Sequence, residues 1–235
     1  MSASTDAGNP GYLAFHRPRF EFLMQLVQDQ IRSPTRILDV GPSPFTAMLR
    51  ESLASPIDSL GLEPEDASPA GRHYHFNLND TQHREKWRQD LGPYDLIVFA
   101  EVIEHLFTAP ELVLSYVRGL LAPRGALILQ TPNAASLRKR IKLAAGRNPF
   151  ERIRPDPANP GHFREYTARE LAQILSQAGF AMKRSWSQFY FDARFARHEI
   201  GNEPPNHLRG SAMNIINKLL PGFLREGITI LAERT

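Results

Sequence analysis

Arg36-Ile37-Leu38-Asp39-Val40-Gly41-Pro42-Ser43-Pro44 is the stretch on which the fold turns. Its apolar residues surround a single carboxylate, the pattern of a short buried strand, and a glycine with two prolines ends it in a turn. Residues 46–53 then read as a helical segment, so the local unit is strand, turn, helix. A carboxylate and a sterically permissive glycine at a strand's end are suited to a ligand approaching the carboxyl edge of a sheet. That ligand is a poor match for a dinucleotide. A pyrophosphate cradle uses backbone N–H groups of a G-x-G-x-x-G turn, and Pro42 and Pro44 have none to give. A ligand with an adenosine end but no phosphate tolerates such a turn.

Upstream, Phe20, Leu23, Val27 and Ile31 recur at helical spacing and predict an amphipathic helix that stops at Ser33-Pro34. Downstream, residues 59–62, 73–76, 95–100 and 126–130 read as strands separated by stretches long enough for crossovers. The alternation predicts an α/β fold with a Rossmann-like, doubly wound, mostly parallel sheet. Thr167-Ala168-Arg169-Glu170 has capping-box spacing, and Leu171, Ile174, Leu175 and Ala178 form the apolar stripe of the helix it opens, which ends at Gly179. Residues 181–191 and 227–231 read as closing strands, and the polar excursion 192–225 between them as a lid.

The 235 residues are expected to form one domain. It comprises a tail and N-terminal helix over 1–33, a ligand-binding core over 34–133, a basic insertion after the fifth strand over 134–165, and a C-terminal helix, closing strands and lid-like excursion over 166–235. The 42% hydrophobic and 23% charged content is ordinary for a globular chain. The absence of cysteine excludes disulfides, thiolate metal ligands and a cysteine nucleophile. No apolar run reaches transmembrane length, and residues 1–10 lack the pattern of a secretory signal, so a cytoplasmic location is expected. A formal net charge of +3 does not by itself imply nucleic-acid binding.

Ile37-Leu38-Asp39-Val40-Gly41, Gly61-Leu62-Glu63-Pro64, Tyr94-Asp95-Leu96-Ile97 and Glu101-Val102-Ile103-Glu104-His105-Leu106 together resemble the class I S-adenosylmethionine-dependent methyltransferases, including the small-molecule O-methyltransferase branch with its ubiquinone-pathway members. The resemblance continues through Gln130-Thr131-Pro132-Asn133 and His162-Phe163-Arg164-Glu165-Tyr166-Thr167. It implies S-adenosyl-L-methionine as cofactor, with Asp39, Gly41 and Ser43 at its methionine end, Glu63 on the ribose hydroxyls and Asn77-Leu78 along the adenine. Glu101 joins the same set. The chain departs from the family's D-x-G-x-G-x-G where Ser43 and Phe45 replace glycines.

Glu101-x-x-Glu104-His105 has the i, i+3, i+4 spacing that converges on one face if the segment is helical. With His162 it predicts a four-residue site for Mg²⁺, Mn²⁺ or Zn²⁺, similar to that of metal-dependent RNA 2′-O-methyltransferases. Without metal, His105 or His162 would serve as general base on a substrate hydroxyl. The competing structural reading has Glu101 capping a helix and His105 packing beside the cofactor.

Residues 137–154 hold Arg138, Lys139, Arg140, Lys142, Arg147, Arg152 and Arg154 against the single acid Glu151. Phosphate, an anionic glycan or a membrane surface would suit them, as would plain solvation; with Phe150 the only aromatic, RNA reading is disfavoured. Ile215, Ile216, Leu219 and Leu220 are expected in core packing or lid closure rather than membrane docking. The leading expectation is O-methylation of a small-molecule or glycan-type acceptor. The alternatives are a metal-dependent RNA 2′-O-methyltransferase and a non-catalytic binding protein with a degenerate cofactor turn. Oligomeric state is left open.

Overall fold

The computed structural model describes residues 10–32, 35–157, 159–196 and 206–235. The expected tail over 1–9, the helix stop at Ser33-Pro34 and residues 197–205 of the expected lid lie outside them. Among the described residues, eight strands form one sheet: β1 (Ile37–Val40), β2 (Ile57–Gly61), β3 (Asp66–Ser68), β4 (Gly71–His75), β5 (Tyr94–Ala100), β6 (Leu121–Pro132), β7 (Phe180–Gln188) and β8 (Gly227–Arg234), in the order β3-β4-β2-β1-β5-β6-β8-β7. The run from β4 to β6 is parallel; β3 pairs antiparallel with β4, and β8 antiparallel with both β6 and β7. The six described α-helices are α1 (Pro10–Gln30), α2 (Pro44–Ser52), α3 (Pro110–Leu120), α4 (Leu137–Ala144), α5 (Ala168–Gln177) and α6 (His207–Leu219).

Successive side chains of a strand face opposite sides of a sheet, and the two cores sort accordingly. Ile37, Leu96, Val98 and Ile128 pack with Phe20, Leu23 and Val27 of α1 and Phe45 and Leu49 of α2. Leu38, Val40, Ile97, Phe99, Leu127 and Leu129 pack on the other side with Val113 and Val117 of α3 and Leu171 and Leu175 of α5. Burial on both sides is why the parallel strands read as near-continuous apolar runs. The same period places Asp39 on the side of Ile37, underneath α2.

Two expectations change. The segment after β5 is not an α-helix: it turns through Glu101 at φ 56° into a single 3₁₀ turn, Ile103–His105, and runs on extended from Leu106. Of the core packing or lid closure expected of Ile215, Ile216, Leu219 and Leu220, core packing does not hold for the first three, which are exposed because α6 turns its polar side inward. The predicted capping box is present: Glu170 N donates to Thr167 Oγ1 at 3.2 Å, and the Glu170 side chain reaches back to the Thr167 N–H. Thr167→Ala is expected to lower the unfolding free energy by about 1 kcal/mol in urea titration; an unchanged midpoint would show that the cap contributes nothing to α5.

Candidate functional site

The carboxyl ends of β1, β2, β4 and β5 open into a cleft of about 1040 Å³. Its floor begins at Asp39. That carboxylate is buried, and Thr46 Oγ1 donates to its Oδ2 at 2.6 Å while accepting from Ser43 N at 2.9 Å. Burial pushes the Asp39 carboxyl up to about 7, against the opposing effects of the Thr46 hydrogen bond and the Arg50 charge. Ser43 caps α2, its Oγ accepting from Phe45 N at 3.2 Å, so the serine found where the family has glycine has a structural task. Its hydroxyl proton remains available to the cleft. Gly41 sits at φ 79°, and a Cβ there would lie 2.4 Å from Val102 Cγ2. The packing of the turn against Val102 thus demands glycine whether or not a ligand is bound.

β2 delivers Leu62 and Glu63 to the cleft wall. Leu62 is 58% exposed, an apolar surface left open beside a carboxylate. Glu63 Oε2 stands 3.8 Å from His73 Nε2, and the Glu63 carbonyl accepts contacts from His73 Nε2 at 3.2 Å and His75 Nδ1 at 3.0 Å. Asn77 Oδ1 accepts from Asn79 N at 3.0 Å, fixing the turn that presents buried Leu78. Phe107, also exposed, meets Phe163 edge-on at 5.7 Å across the opening.

Beyond β5, Glu101 adopts a left-handed conformation that costs a non-glycine residue about 1–3 kcal/mol. Its Oε2 lies 3.4 Å from Arg19 Nη1, a guanidinium brought in by α1 and buried with it. Glu101 Oε1 and Arg19 Nε are both buried without a protein partner, and both residues line the cleft. Desolvation raises the Glu101 carboxyl above the ordinary range, against the pull of Arg19 and Lys139.

The expected four-residue metal set contracts to three. Among the described residues, ligand atoms of Glu104, His105 and His162 lie within 4.8 Å of one another, and Glu101 is not in that group because its carboxylate turns to Arg19. Glu104 is fully buried; its Oε2 accepts from Thr131 Oγ1 at 2.9 Å while Oε1 has no partner and lies 4.0 Å from His105 Nε2. His105 Nδ1 faces the Gly161 carbonyl at 3.0 Å, a contact that only a protonated Nδ1 satisfies, so Nε2 is left as an acceptor. His162 Nδ1 likewise faces Glu165 Oε1 at 3.2 Å, and Glu165 is itself paired with Lys139. Burial holds both imidazoles toward the neutral form, His162 down to about 4 with help from neighbouring His105. It raises Glu104 well above the usual range, with the Glu101 charge adding to the effect, and brings the Lys139 ammonium down to about 8 against the nearby carboxylates of Glu226, Glu101 and Glu104.

Arg19, Thr46 and Lys139 were not singled out as site residues by sequence reasoning. Arg19 lies just before the helical pattern that begins at Phe20, and Lys139 reads there as one of seven cations in a basic run.

A family model described as a methyltransferase domain matches residues 15–184. A protein of Mycolicibacterium smegmatis described as a "probable S-adenosylmethionine-dependent methyltransferase" is 30% identical over 133 residues, 56% of this chain and 46% of the relative, so the chain spans less than half of its length. Among solved structures, an S-adenosylmethionine-dependent methyltransferase from Mesorhizobium loti superposes with TM-score 0.56 at 14% identity, over 89% of this chain and 96% of that one. The [4+2]-cyclase SpnF superposes with TM-score 0.58 at 14% identity, over 97% and 85%. These two share the fold, and their different descriptions show that the fold alone does not name a reaction.

The folded-state value of Asp39, about 7, lies above its ordinary 3.8, so the folded chain binds this proton more tightly than the unfolded chain. The resulting stability is fully present below pH 3.8 and is lost as pH rises through 7. Relative to Asp39→Asn, the wild type should therefore gain on the order of 1 kcal/mol between about pH 8 and pH 6 in denaturant titrations. A difference independent of pH would mean that Asp39 titrates far from neutrality.

Proposed function

The chain belongs to the methyltransferase-domain family, and from that premise we propose that it is an S-adenosylmethionine-dependent enzyme that methylates a hydroxyl of a small-molecule or glycan-type acceptor. The residues of the cleft fit that cofactor. Glu63, a partly exposed carboxylate at the end of β2, is suited to ribose hydroxyls, and Leu62 and Leu78 offer apolar surface for the adenine, with Asn77 at its border. The orphaned Arg19 Nε and Glu101 Oε1 match a carboxylate and an ammonium, the two charges of an amino-acid end. Asp39, Gly41 and Ser43 close the floor beneath it. When bound, the cofactor supplies a methyl group on a sulfonium, open to in-line displacement.

The observation that carries the choice of a hydroxyl acceptor is the pair of imidazoles at the cleft wall. His105 and His162 have their Nδ1 protons committed to Gly161 and Glu165, leaving two Nε2 acceptors close together, with ring centroids 4.8 Å apart. Such a nitrogen can take a hydroxyl proton as the oxygen becomes nucleophilic. Most of the remaining rate enhancement would come from alignment of acceptor and methyl group, which the cleft walls provide.

A second reading rests on the unpartnered Glu104 Oε1 beside the same nitrogens. One carboxylate oxygen and two imidazole nitrogens, each oriented by a further hydrogen bond, form a donor set suited to a borderline divalent ion. Mg²⁺, Mn²⁺ or Zn²⁺ held there by Glu104, His105 and His162 would act as a Lewis acid toward the acceptor.

Glu63→Ala is expected to weaken S-adenosylmethionine binding in calorimetry by roughly 1–3 kcal/mol with the melting temperature kept; full affinity would remove Glu63 from the site. The two readings part under chelation. If His105 or His162 acts as base alone, methyl transfer survives a chelator and collapses with the single essential histidine changed to Ala. Loss of turnover on chelation, restored by Mg²⁺ or Mn²⁺ and paralleled by metal loss in His162→Ala, would establish the metal reading instead.

A further inference from the structure

Helix α6 is built inside out. Its inward side is polar: Asn214 Nδ2 donates to Asp192 Oδ1 at 2.9 Å, and Asn214 Oδ1 accepts from Ala193 N at 3.0 Å. Gly210 lies so close to the neighbouring backbone that a Cβ would sit 2.4 Å from Arg194 Cα. The opposite side carries Leu208, Ala212, Ile215, Ile216 and Leu219, which at 100° per residue fill an arc of about 100°. Leu208 is 90% exposed, Ile215 61% and Leu219 80%. Phe223, in the turn that follows, is exposed as well, with Arg140 Cζ 5.8 Å from its ring. An apolar helix face held outward by polar contacts behind it marks a surface that meets something else.

The surrounding charge says what. Residues 206–225 contain no acid and present Arg209 and Lys218, while Arg225 is tied to the carbonyls of Leu220, Ser187 and Lys218. Residues 137–154 contain seven cations, of which Lys139 is paired with Glu165, against Glu151 alone. The Arg140–Phe223 contact joins the two segments, and α4 adds exposed Ile141 and Leu143 between its cations. A second copy of the chain would bring cations against cations, which opposes association. An anionic bilayer satisfies both parts: apolar side chains enter the boundary of the acyl region while Arg and Lys meet headgroup phosphates.

We propose that the outward face of α6, Phe223 and the cationic helix α4 form a docking surface for an anionic membrane. Because α4 also supplies Arg138, Lys139 and Lys142 to the cleft, docking brings the cleft's basic wall close to the headgroup layer.

Vesicle flotation tests this with the whole chain. Binding is expected to phosphatidylcholine vesicles containing about 30% phosphatidylglycerol, and to fall at least tenfold in their absence or at about 0.5 M salt. Ile215→Glu with Leu219→Glu, and separately Arg140→Glu with Arg147→Glu, should each weaken that binding at least tenfold. Melting temperature and S-adenosylmethionine affinity should be kept, since these side chains are exposed and outside the cleft. No binding to the anionic vesicles, or binding indifferent to both double variants, overturns the proposal. So does a dimer in light scattering that Ile215→Glu with Leu219→Glu dissociates while vesicles are ignored, which would assign the face to a second copy.

Discussion

The hydrogen bond from Thr46 to Asp39 is the constraint around which the cleft is arranged. A strand buried on both sides has no ordinary place for a carboxylate, and Asp39 is held there by one hydroxyl at 2.6 Å with Arg50 nearby. The same hydroxyl accepts from Ser43 N, so one threonine ties the last turn of β1 to the first turn of α2. This fixes where the chain between them runs, and with it the floor of the cleft. Gly41, locked against Val102, then passes the geometry on to the segment after β5.

That segment shows how the site divides its labour. A left-handed Glu101 sends its carboxylate to Arg19, so two acidic residues three apart in sequence take different partners while their charges still oppose each other. Glu101 becomes half of a charge pair facing the floor, and Glu104 joins the two imidazoles under the loop that carries His162. The backbone reinforces the second grouping, with Phe163 N donating to the Glu104 carbonyl at 2.8 Å. The Arg19–Glu101 pair and the Glu104–His105–His162 group are thereby built from the two ends of one short turn.

Much of this was legible beforehand. The Ile37–Gly41 unit, the strands over 59–62, 73–76, 95–100 and 126–130 and the Thr167 capping box follow from periodicity and turn chemistry, which are local properties. Other features were hidden for identifiable reasons. An i, i+3, i+4 spacing converges on one face only if the segment is α-helical, and nothing in the residues 101–105 announces a 3₁₀ turn or a positive φ at Glu101. Arg19 is recognisable only once α1 is docked across the sheet. β3 comprises three exposed residues and carries no apolar signal. The stripe on α6 was visible as a pattern, but a pattern does not say which side of a helix meets the protein. That was decided by Asn214 and Gly210, whose contacts are with residues about twenty positions away.

The central claim is that this cleft holds S-adenosylmethionine with its amino-acid end between Arg19 and Glu101 and its ribose at Glu63. A crystal structure with S-adenosylhomocysteine tests it most directly. The account predicts the ligand carboxylate on Arg19, its ammonium on Glu101, both ribose hydroxyls on Glu63 and the sulfur turned toward His105 and His162. A ligand seated elsewhere, or lying in the reverse direction along the cleft, would contradict it.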